Sequence, residues 1–238
     1  MKKAIAAFLP LLLAGGAGAQ VGLSGGLNIA KYSYVSDRGP LMSFNAGLVY
    51  RKALRGTMVW QPALTWSVKG ATVYPAIPIG STNPNEKYLN RLGFVQLAAP
   101  FYGGSSLGDG FRFDIGAGPY VGYLVQAKQT QKRYDGSEAD VSFRVGGKDA
   151  ADFTPFDAGL QFGTGFVMGS RLGFHVLYDL GLKNVNASSN QPALKMRTWS
   201  LNFSYYFRGG NGGRKSSGGR ASGGKRKNSG SGKGLGGF

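Results

Sequence analysis

The chain has 238 residues, with 28 basic and 11 acidic side chains, a formal net charge of +17 and no cysteine. The lack of cysteine excludes a disulfide scaffold and thiolate chemistry, and a single histidine excludes a metal site built from several histidines. The 41 Gly, 15 Phe and 12 Tyr, with only 16% charged residues, favour twisted, closely packed strands over helices.

The N-terminus has the pattern of a secretory signal peptide. Lys2 and Lys3 precede an apolar run over 4–14, and Ala17-Gly18-Ala19 provides an A-x-A cleavage site. The alternative is a short buried helix, which explains neither the basic start nor the processing site. The run is too short to span a bilayer. Residues 1–19 are therefore predicted to be a signal peptide that exports the chain.

Eight segments then alternate apolar and polar residues with period two, the mark of strands with one apolar face. They are 22–35, 43–51, 57–69, 88–102, 110–128, 154–168, 171–180 and 197–208. In 57–69, for example, Trp66 and Val68 alternate with Thr65 and Lys69. The segment at 88–102 carries apolar residues on both parities, so its faces stay unassigned.

The connections between these segments alternate in length. The links 53–56, 103–109 and 169–170 are short, whereas 36–41, 71–87, 129–153 and 182–196 are longer. This is the layout of bacterial outer-membrane barrels. No run of 18 apolar residues follows the signal, so a membrane form would have to cross with strands. The predicted fold of residues 20–208 is all-β: a closed antiparallel eight-stranded transmembrane β-barrel with short periplasmic turns and longer extracellular loops.

Charged residues within the strands fall on the polar parity. A charge facing lipid costs about 2 to 4 kcal/mol at the membrane midplane, so this parity should face the lumen. An eight-stranded lumen is filled by side chains. We therefore predict no open pore and an internal polar network. Its members are Arg51, Lys69, Arg112, Asp114, Asp157, His175 and Asp179.

The last predicted strand places aromatic residues on its outer face. Trp199, Phe203, Tyr205 and Phe207 share one parity, and such rings favour the membrane interface. The strand resembles the terminal signal by which the bacterial barrel-assembly machinery recognises its clients, although residues 208–238 follow it. The expected partners are this machinery during biogenesis and outer-membrane lipid.

Several segments, taken in order, resemble the PorT-type outer-membrane β-barrel family over about residues 20–208. They are Gly26-Leu27-Asn28, Gln61-Pro62-Ala63-Leu64 with Lys69-Gly70, Gly116 to Leu124, and Asp157-Ala158-Gly159-Leu160 with Gly163-Thr164-Gly165. The resemblance implies an eight-stranded barrel in the outer membrane of Gram-negative bacteria, in a family whose members mostly have no assigned activity. The namesake's part in secretion and gliding does not follow from a shared fold.

No catalytic, cofactor or metal site is predicted. His175 and Asp179 share a face but lie about 13 Å apart along an extended strand. His175 would be the general base of a lipid-acting barrel enzyme, or one member of the lumen network, and the second interpretation is favoured. Gly116 and Gly118 are not predicted to bind phosphate, because no strand-to-helix transition follows them. They are expected to permit close packing or local bending.

Residues 209–238 form a basic tail with 13 Gly. Its basic residues are Arg214, Lys215, Arg220, Lys225, Arg226, Lys227 and Lys233. With almost nothing apolar to bury, the tail is expected to be disordered. It would bind a periplasmic polyanion, lipid head groups or an acidic protein, or serve as a solvated spacer. A periplasmic location makes nucleic acid an unexpected partner.

Two classes of function remain. The first is a non-enzymatic structural or interaction barrel of the cell outer membrane, whose loops, especially 129–153, contact ligands or partners. The second is a soluble lipocalin-like periplasmic barrel that binds a hydrophobic ligand, or a barrel enzyme acting on lipid. The charged parity has too many Arg, Lys and Asp for an apolar ligand cavity, which favours the first class.

Overall fold

The computed structural model describes residues 19–33, 38–74, 85–108, 110–146, 152–187 and 193–207. The predicted tail (209–238) and all but Ala19 of the predicted signal peptide lie outside these residues. The twelve strands of the described part are β1 (Ala19–Tyr32), β2 (Arg38–Gly39), β3 (Leu41–Ala53), β4 (Met58–Trp60), β5 (Ala63–Val73), β6 (Asn85–Ala98), β7 (Phe101–Gly108), β8 (Phe111–Arg133), β9 (Glu138–Ser142), β10 (Phe156–Met168), β11 (Leu172–Gly181) and β12 (Met196–Tyr206). Nowhere in this part does a helix have the length and apolarity needed to cross a membrane.

All twelve strands belong to one sheet, and every strand pairing in it is antiparallel. From β1 the pairings run through β3, β5, β6, β8, β10, β11 and β12, and β12 pairs with β1 over the register Gly22↔Tyr206 to Tyr32↔Met196. The C-terminal ends of β3, β7 and β10 lie at one end of the sheet, which we call the turn end. The C-terminal ends of β1, β5, β8 and β11 lie at the opposite end, which we call the loop end.

Two predicted strands are each divided in two. The segment at 57–69 occurs as β4 and β5, separated by Gln61-Pro62, and the segment at 88–102 occurs within β6 and β7, separated by Ala99-Pro100. Proline has no N–H to donate to a neighbouring strand, so each ladder is interrupted there. The two breaks lie side by side, because the Gln61 N–H donates to the Pro100 carbonyl at 3.0 Å.

The faces of β6, left unassigned by the sequence, are clear in the structure. Leu92 and Phe94 are completely buried on the inner face, whereas Val95 is exposed on the outer face. Between Gly93 and Phe94 the register against β8 shifts, because Gly93 pairs with Gln126 and Phe94 with Leu124. This bulge adds one residue to β8 and changes which of its parities faces inward.

The connection predicted at 129–153 contains regular structure. β8 continues to Arg133, and β9 returns beside it to form a hairpin that extends the sheet at the loop end. In the turn, the Asp135 carboxylate accepts hydrogen bonds from the Ser137 hydroxyl (2.6 Å) and the Ser137 N–H (2.8 Å). These two bonds lower the pKa of Asp135 and help to fix the turn.

Glycines permit close approach of neighbouring strands on the inner face. A Cβ at Gly47 would lie 2.1 Å from the Leu64 carbonyl oxygen, and one at Gly116 would lie 2.1 Å from that of Phe101. No real Cβ tolerates such a contact, so these positions need glycine for steric reasons. This agrees with the interpretation that the strand glycines serve packing and bending.

Candidate functional site

The inner face of the sheet carries the charged residues that the sequence singled out. Six of the seven predicted network residues are buried, among them Lys69 and Asp114 with no exposed surface, while Arg112 is only partly covered. They come from β3, β5, β8, β10 and β11. The structure collects six of them into two separate clusters, one near each end of the sheet.

The cluster near the turn end is built around Asp114. Its Oδ2 atom lies 2.6 Å from Nη2 of Arg51, and its Oδ1 atom accepts a hydrogen bond from Nε of Arg112 at 2.7 Å. Arg51 also donates to Oε1 of Gln61 at 2.6 Å and lies over the ring of Tyr206. Arg112 extends to the Thr57 carbonyl in the β3–β4 link. One carboxylate thus binds two guanidinium groups, and each guanidinium donates a further hydrogen bond to a neutral acceptor.

The second cluster is centred on Lys69. Its Nζ atom lies 2.9 Å from Oδ2 of Asp179 and 3.7 Å from Oδ2 of Asp157. Gln96 and Gln161 donate hydrogen bonds to the two oxygens of Asp179, at 3.0 and 2.8 Å. The Tyr120 hydroxyl donates to Asp157 at 3.1 Å, and the Tyr120 ring packs against the ammonium group of Lys69. This buried lysine therefore has two carboxylates and an aromatic face as partners.

His175 joins neither cluster. Its ring packs against that of Tyr102 with centroids 5.7 Å apart, and its Nε2 atom is buried without a hydrogen-bond partner. Among the described residues, no hydrogen bond connects its imidazole to a serine or an aspartate, and Asp179 is engaged by Lys69 and the two glutamines. The arrangement lacks the base-to-nucleophile contact that a hydrolase needs.

A third group of interior residues was not identified from the sequence. Asn45 donates to Oδ1 of Asn28 at 2.6 Å and to Oδ1 of Asn202 at 2.9 Å, and Ser200 donates to the same Asn28 oxygen at 2.8 Å. Ser67 accepts a bond from Asn28. These residues lie on the polar parity of β1, β3, β5 and β12. Their position on the polar parity is the sequence signal that could have identified them, but the predicted network contains only charged residues and His175.

The space left between these groups is small. A cavity of about 40 Å³ lies beside Asn45, Gln96 and His175, with Asp179 and Ser200 also on its wall. Such a volume holds a few water molecules. The buried oxygens of Asn45 and Gln96, which have no partner in the structure, are the groups such waters would satisfy. A hydrophobic ligand of lipocalin size has no room there.

Apolar side chains close the loop end of the interior. Leu92, Phe94 and Leu124 from the strands pack in one buried cluster with Phe153, Val185 and Leu194 from the connections. Phe143 packs on its edge, with its ring 5.2 Å from that of Phe153. The described parts of these connections, 143–146, 152–155, 182–187 and 193–195, therefore pack inward over the sheet.

The outer face is apolar. Trp199, Phe203, Tyr205 and Phe207, the four residues predicted to form the assembly signal, are all exposed on it. Aromatic pairs lie near both ends: Tyr123 with Phe156 and Tyr178 with Trp199 towards the loop end, and Trp60 with Phe101 and Phe174 with Phe203 towards the turn end. Recognition of the last strand by the barrel-assembly machinery stays a prediction.

No metal or tail site can be built from the described residues. Within them, no three or more His, Asp or Glu side chains are grouped so that they could hold a metal ion. The seven basic tail residues predicted to contact a polyanion, from Arg214 to Lys233, lie outside the described part of the chain.

Comparisons with known proteins identify a family. The family model described as "Outer membrane protein beta-barrel domain" matches residues 14–186. Among curated proteins, no match was found. Ail, the attachment invasion locus protein of Yersinia pestis, is 12% identical, with 81% of this chain and 100% of that chain covered and a TM-score of 0.37. Neisserial surface protein A is also 12% identical, with 82% and 99% covered and a TM-score of 0.45. Similarity at this level supports no functional conclusion.

Proposed function

Because the chain belongs to the outer membrane protein β-barrel domain family, we propose that it is a closed, eight-stranded transmembrane β-barrel of the bacterial outer membrane. The circular order of strand pairings supports this proposal. β4 with β5, and β6 with β7, each act as one membrane-crossing strand interrupted at a proline, while β2 and β9 lie beyond the membrane. Counted in this way, eight strands cross, with the turn end in the periplasm and the loop end outside.

The single observation that best supports the proposal is the polarity of the two faces, which is the reverse of that in a soluble protein: the outer face is apolar and the inner face is charged. The outer face exposes Leu27, Phe44 and Ile115, whereas the inner face buries Lys69, Asp114 and Asp179. A soluble protein rarely exposes so continuous an apolar surface. A bilayer removes that surface from water, and aromatic side chains near both ends fit the two membrane interfaces. The soluble lipocalin-like alternative needs the opposite arrangement.

The proposed role is structural or interactive and not enzymatic. Side chains, ion pairs and the apolar cluster at the loop end fill the interior, so the barrel is expected to conduct no ions. Reconstituted in planar bilayers, the protein should give no steady conductance steps, whereas a porin under the same conditions should give them. Stable, reproducible steps would contradict a filled interior.

The β8–β9 hairpin is the proposed contact surface for partners outside the cell. Within the described residues β9 pairs only with β8, so its outer edge is free to accept a strand. The other parts of the proposal are a signal peptide at 1–19, a barrel at 20–208 and a basic tail at 209–238 that contacts a periplasmic polyanion or acidic protein. The ordered motifs from Gly26 to Gly165 favour the PorT-type branch of the family.

The test is cell fractionation followed by a denaturing gel of heated and unheated samples. The proposal requires the protein in the outer-membrane fraction and an unheated band that migrates differently from the heated one. A Lys69→Met variant is a useful comparison, because loss of the interior ion pair should lower the temperature at which the two bands merge. Recovery of wild-type protein in the soluble periplasm would reverse the assignment of the two faces.

A further inference from the structure

A groove on the outer face combines an apolar floor with two cations that form no ion pair within the described part of the chain. Met42, Phe44 and Trp66 form the floor, and Arg91 and Lys128 stand at the edge nearer the loop end. The groove has a volume of about 460 Å³. Met42 and Phe44 are 69% and 54% exposed, which makes the floor one of the most open apolar surfaces on the molecule.

The floor depends on a glycine. The Trp66 ring lies across Gly93, where an added Cβ would be 2.5 Å from Cζ2 of the indole. The absence of a side chain at Gly93 therefore lets the indole lie close to the β6 backbone. Trp66 pairs with Val95, which pairs with Tyr123. This places the indole in the aromatic zone near the loop end.

The two cations face each other across neighbouring strands. Arg91 on β6 is the direct partner of Lys128 on β8, and like charges in this position repel. Arg91 makes one hydrogen bond, from Nη1 to the Thr130 hydroxyl at 3.2 Å, and that hydroxyl donates to Asp140 at 2.8 Å. Within the described residues neither cation has an ion-pair partner. Asp140 also borders the groove and keeps its negative charge, but it reaches Arg91 only through the Thr130 hydroxyl.

A second like-charge pair on the same two strands shows how the protein balances such repulsion elsewhere. Lys87 pairs with Lys132 in the same β6–β8 register, closer to the loop end. Each has its own carboxylate: Lys87 lies 3.2 Å from Glu86, and Lys132 bonds Glu138. Among the described residues, Arg91 and Lys128 have no carboxylate in direct ion-pair contact, and the nearby Asp140 is bonded to Thr130. An external anion placed between the two cations would relieve their repulsion.

The position of the pair suits the head group of a lipid. Arg91 lies four residues beyond Val95, about 13 Å along the strand, or about 10 Å in height for a tilted strand. If the aromatic zone marks the membrane interface, Arg91 and Lys128 stand at head-group level in the outer leaflet. We propose that this groove binds a phosphorylated glycolipid of the outer leaflet, with its phosphate between Arg91 and Lys128 and its acyl chains over Met42, Phe44 and Trp66. The inference rests on the proposed membrane orientation.

The test uses native mass spectrometry of detergent-solubilised protein titrated with bisphosphorylated lipid A. Only protein whose unheated and heated bands differ is used, so folding is established before binding is measured. The Arg91→Gln/Lys128→Gln variant should bind lipid A at least about tenfold more weakly than wild type, because two charge-assisted contacts are lost. The matched Lys87→Gln/Lys132→Gln variant loses the same charge from the same strands and should change affinity less than about twofold.

The outcomes separate the inference from the proposed function. Equal lipid A affinity of both double variants and wild type would overturn the proposed binding site in the groove, while the barrel assignment would stand. Equally tight binding of fully dephosphorylated lipid A by wild type would also overturn it, because the contacts would then be apolar adsorption alone. Wild-type protein whose heated and unheated bands coincide would overturn the proposed function, and the inference with it.

Discussion

Lys69 on β5 and Asp179 on β11 form an ion pair of 2.9 Å across the interior, although three strands of the ring separate their own strands. Asp157 shares the same ammonium group at 3.7 Å. In the turn-end cluster two cations, Arg51 and Arg112, form ion pairs with one anion, Asp114. Over the two clusters the three cations and three anions balance, which allows ions to be buried inside a narrow sheet.

Replacing Lys69 with methionine should be among the most destabilising changes in the chain. It removes the only cation that contacts Asp157 and Asp179 among the described residues, and leaves both carboxylates buried. The expected loss is about 3 to 5 kcal/mol in the free energy of unfolding. Denaturant unfolding in detergent, followed by tryptophan fluorescence, measures it.

Lys87→Met is the control for this change, because Lys87 is partly exposed and, among the described residues, forms an ion pair only with its neighbour Glu86. Its loss should cost well under about 1 kcal/mol. Equal midpoints for the two variants would mean that the interior ion pair contributes no more than a surface pair.

Two glycines in adjacent strands should respond oppositely to alanine. At Gly116 an added Cβ would meet the Phe101 carbonyl oxygen at 2.1 Å, so Gly116→Ala should destabilise the protein by about 1 to 3 kcal/mol. At Gly103 no atom lies within 4 Å of the added Cβ, so Gly103→Ala should be neutral or slightly stabilising. The same unfolding measurement compares them. A cost at Gly103 equal to that at Gly116 would refute a steric explanation.

The parity of charged residues was the part of the site most accessible from the sequence. Period-two alternation places Arg51 and Asp114 on one face, because side chains of a strand alternate strictly. The alternation does not predict which charged side chains contact each other. The Lys69–Asp179 contact depends on the register of four intervening pairings, and no local pattern encodes that register.

Two features could not be predicted from alternation, each for its own reason. Leu92 and Phe94 point inward and pack with Phe153 and Val185. β6 therefore has apolar residues on both faces, and its sequence pattern does not distinguish the inner face from the outer one. The sequence predicts a loop where the β8–β9 hairpin lies, because the hairpin residues are mostly polar on both sides and show no clear alternation. Tertiary packing decides both, and it involves connections far away in the sequence.

The turn between β10 and β11 holds a strained residue. Gly169 and Ser170 have φ values of 54° and 58°, and the Arg171 N–H donates to the Met168 carbonyl at 3.1 Å. These are features of a type I′ turn, in which asparagine and glycine are favoured over serine. Ser170→Asn should therefore raise the free energy of unfolding by about 0.5 to 1 kcal/mol, and Ser170→Val should lower it by at least as much.

Ser105→Asn in β7 is the control for the turn variant, since Ser105 is exposed and does not have a positive φ. That change should give no stabilisation. If asparagine stabilised both positions equally, the gain at Ser170 would not come from the backbone conformation.

The free-energy cost of a lysine on the outer face should depend on its depth in the membrane, which tests the proposed membrane position at individual residues. Leu201 lies at the middle of β12 and is 58% exposed, whereas Leu54 is 39% exposed in the link that follows β3. In a bilayer, Leu201→Lys should cost about 2 to 4 kcal/mol, and Leu54→Lys about 0 to 1 kcal/mol, because only the first places a charge near the midplane. Unfolding from phospholipid vesicles measures both. In water, two exposed leucines would tolerate lysine equally well, so equal small costs would mean that β12 does not face lipid.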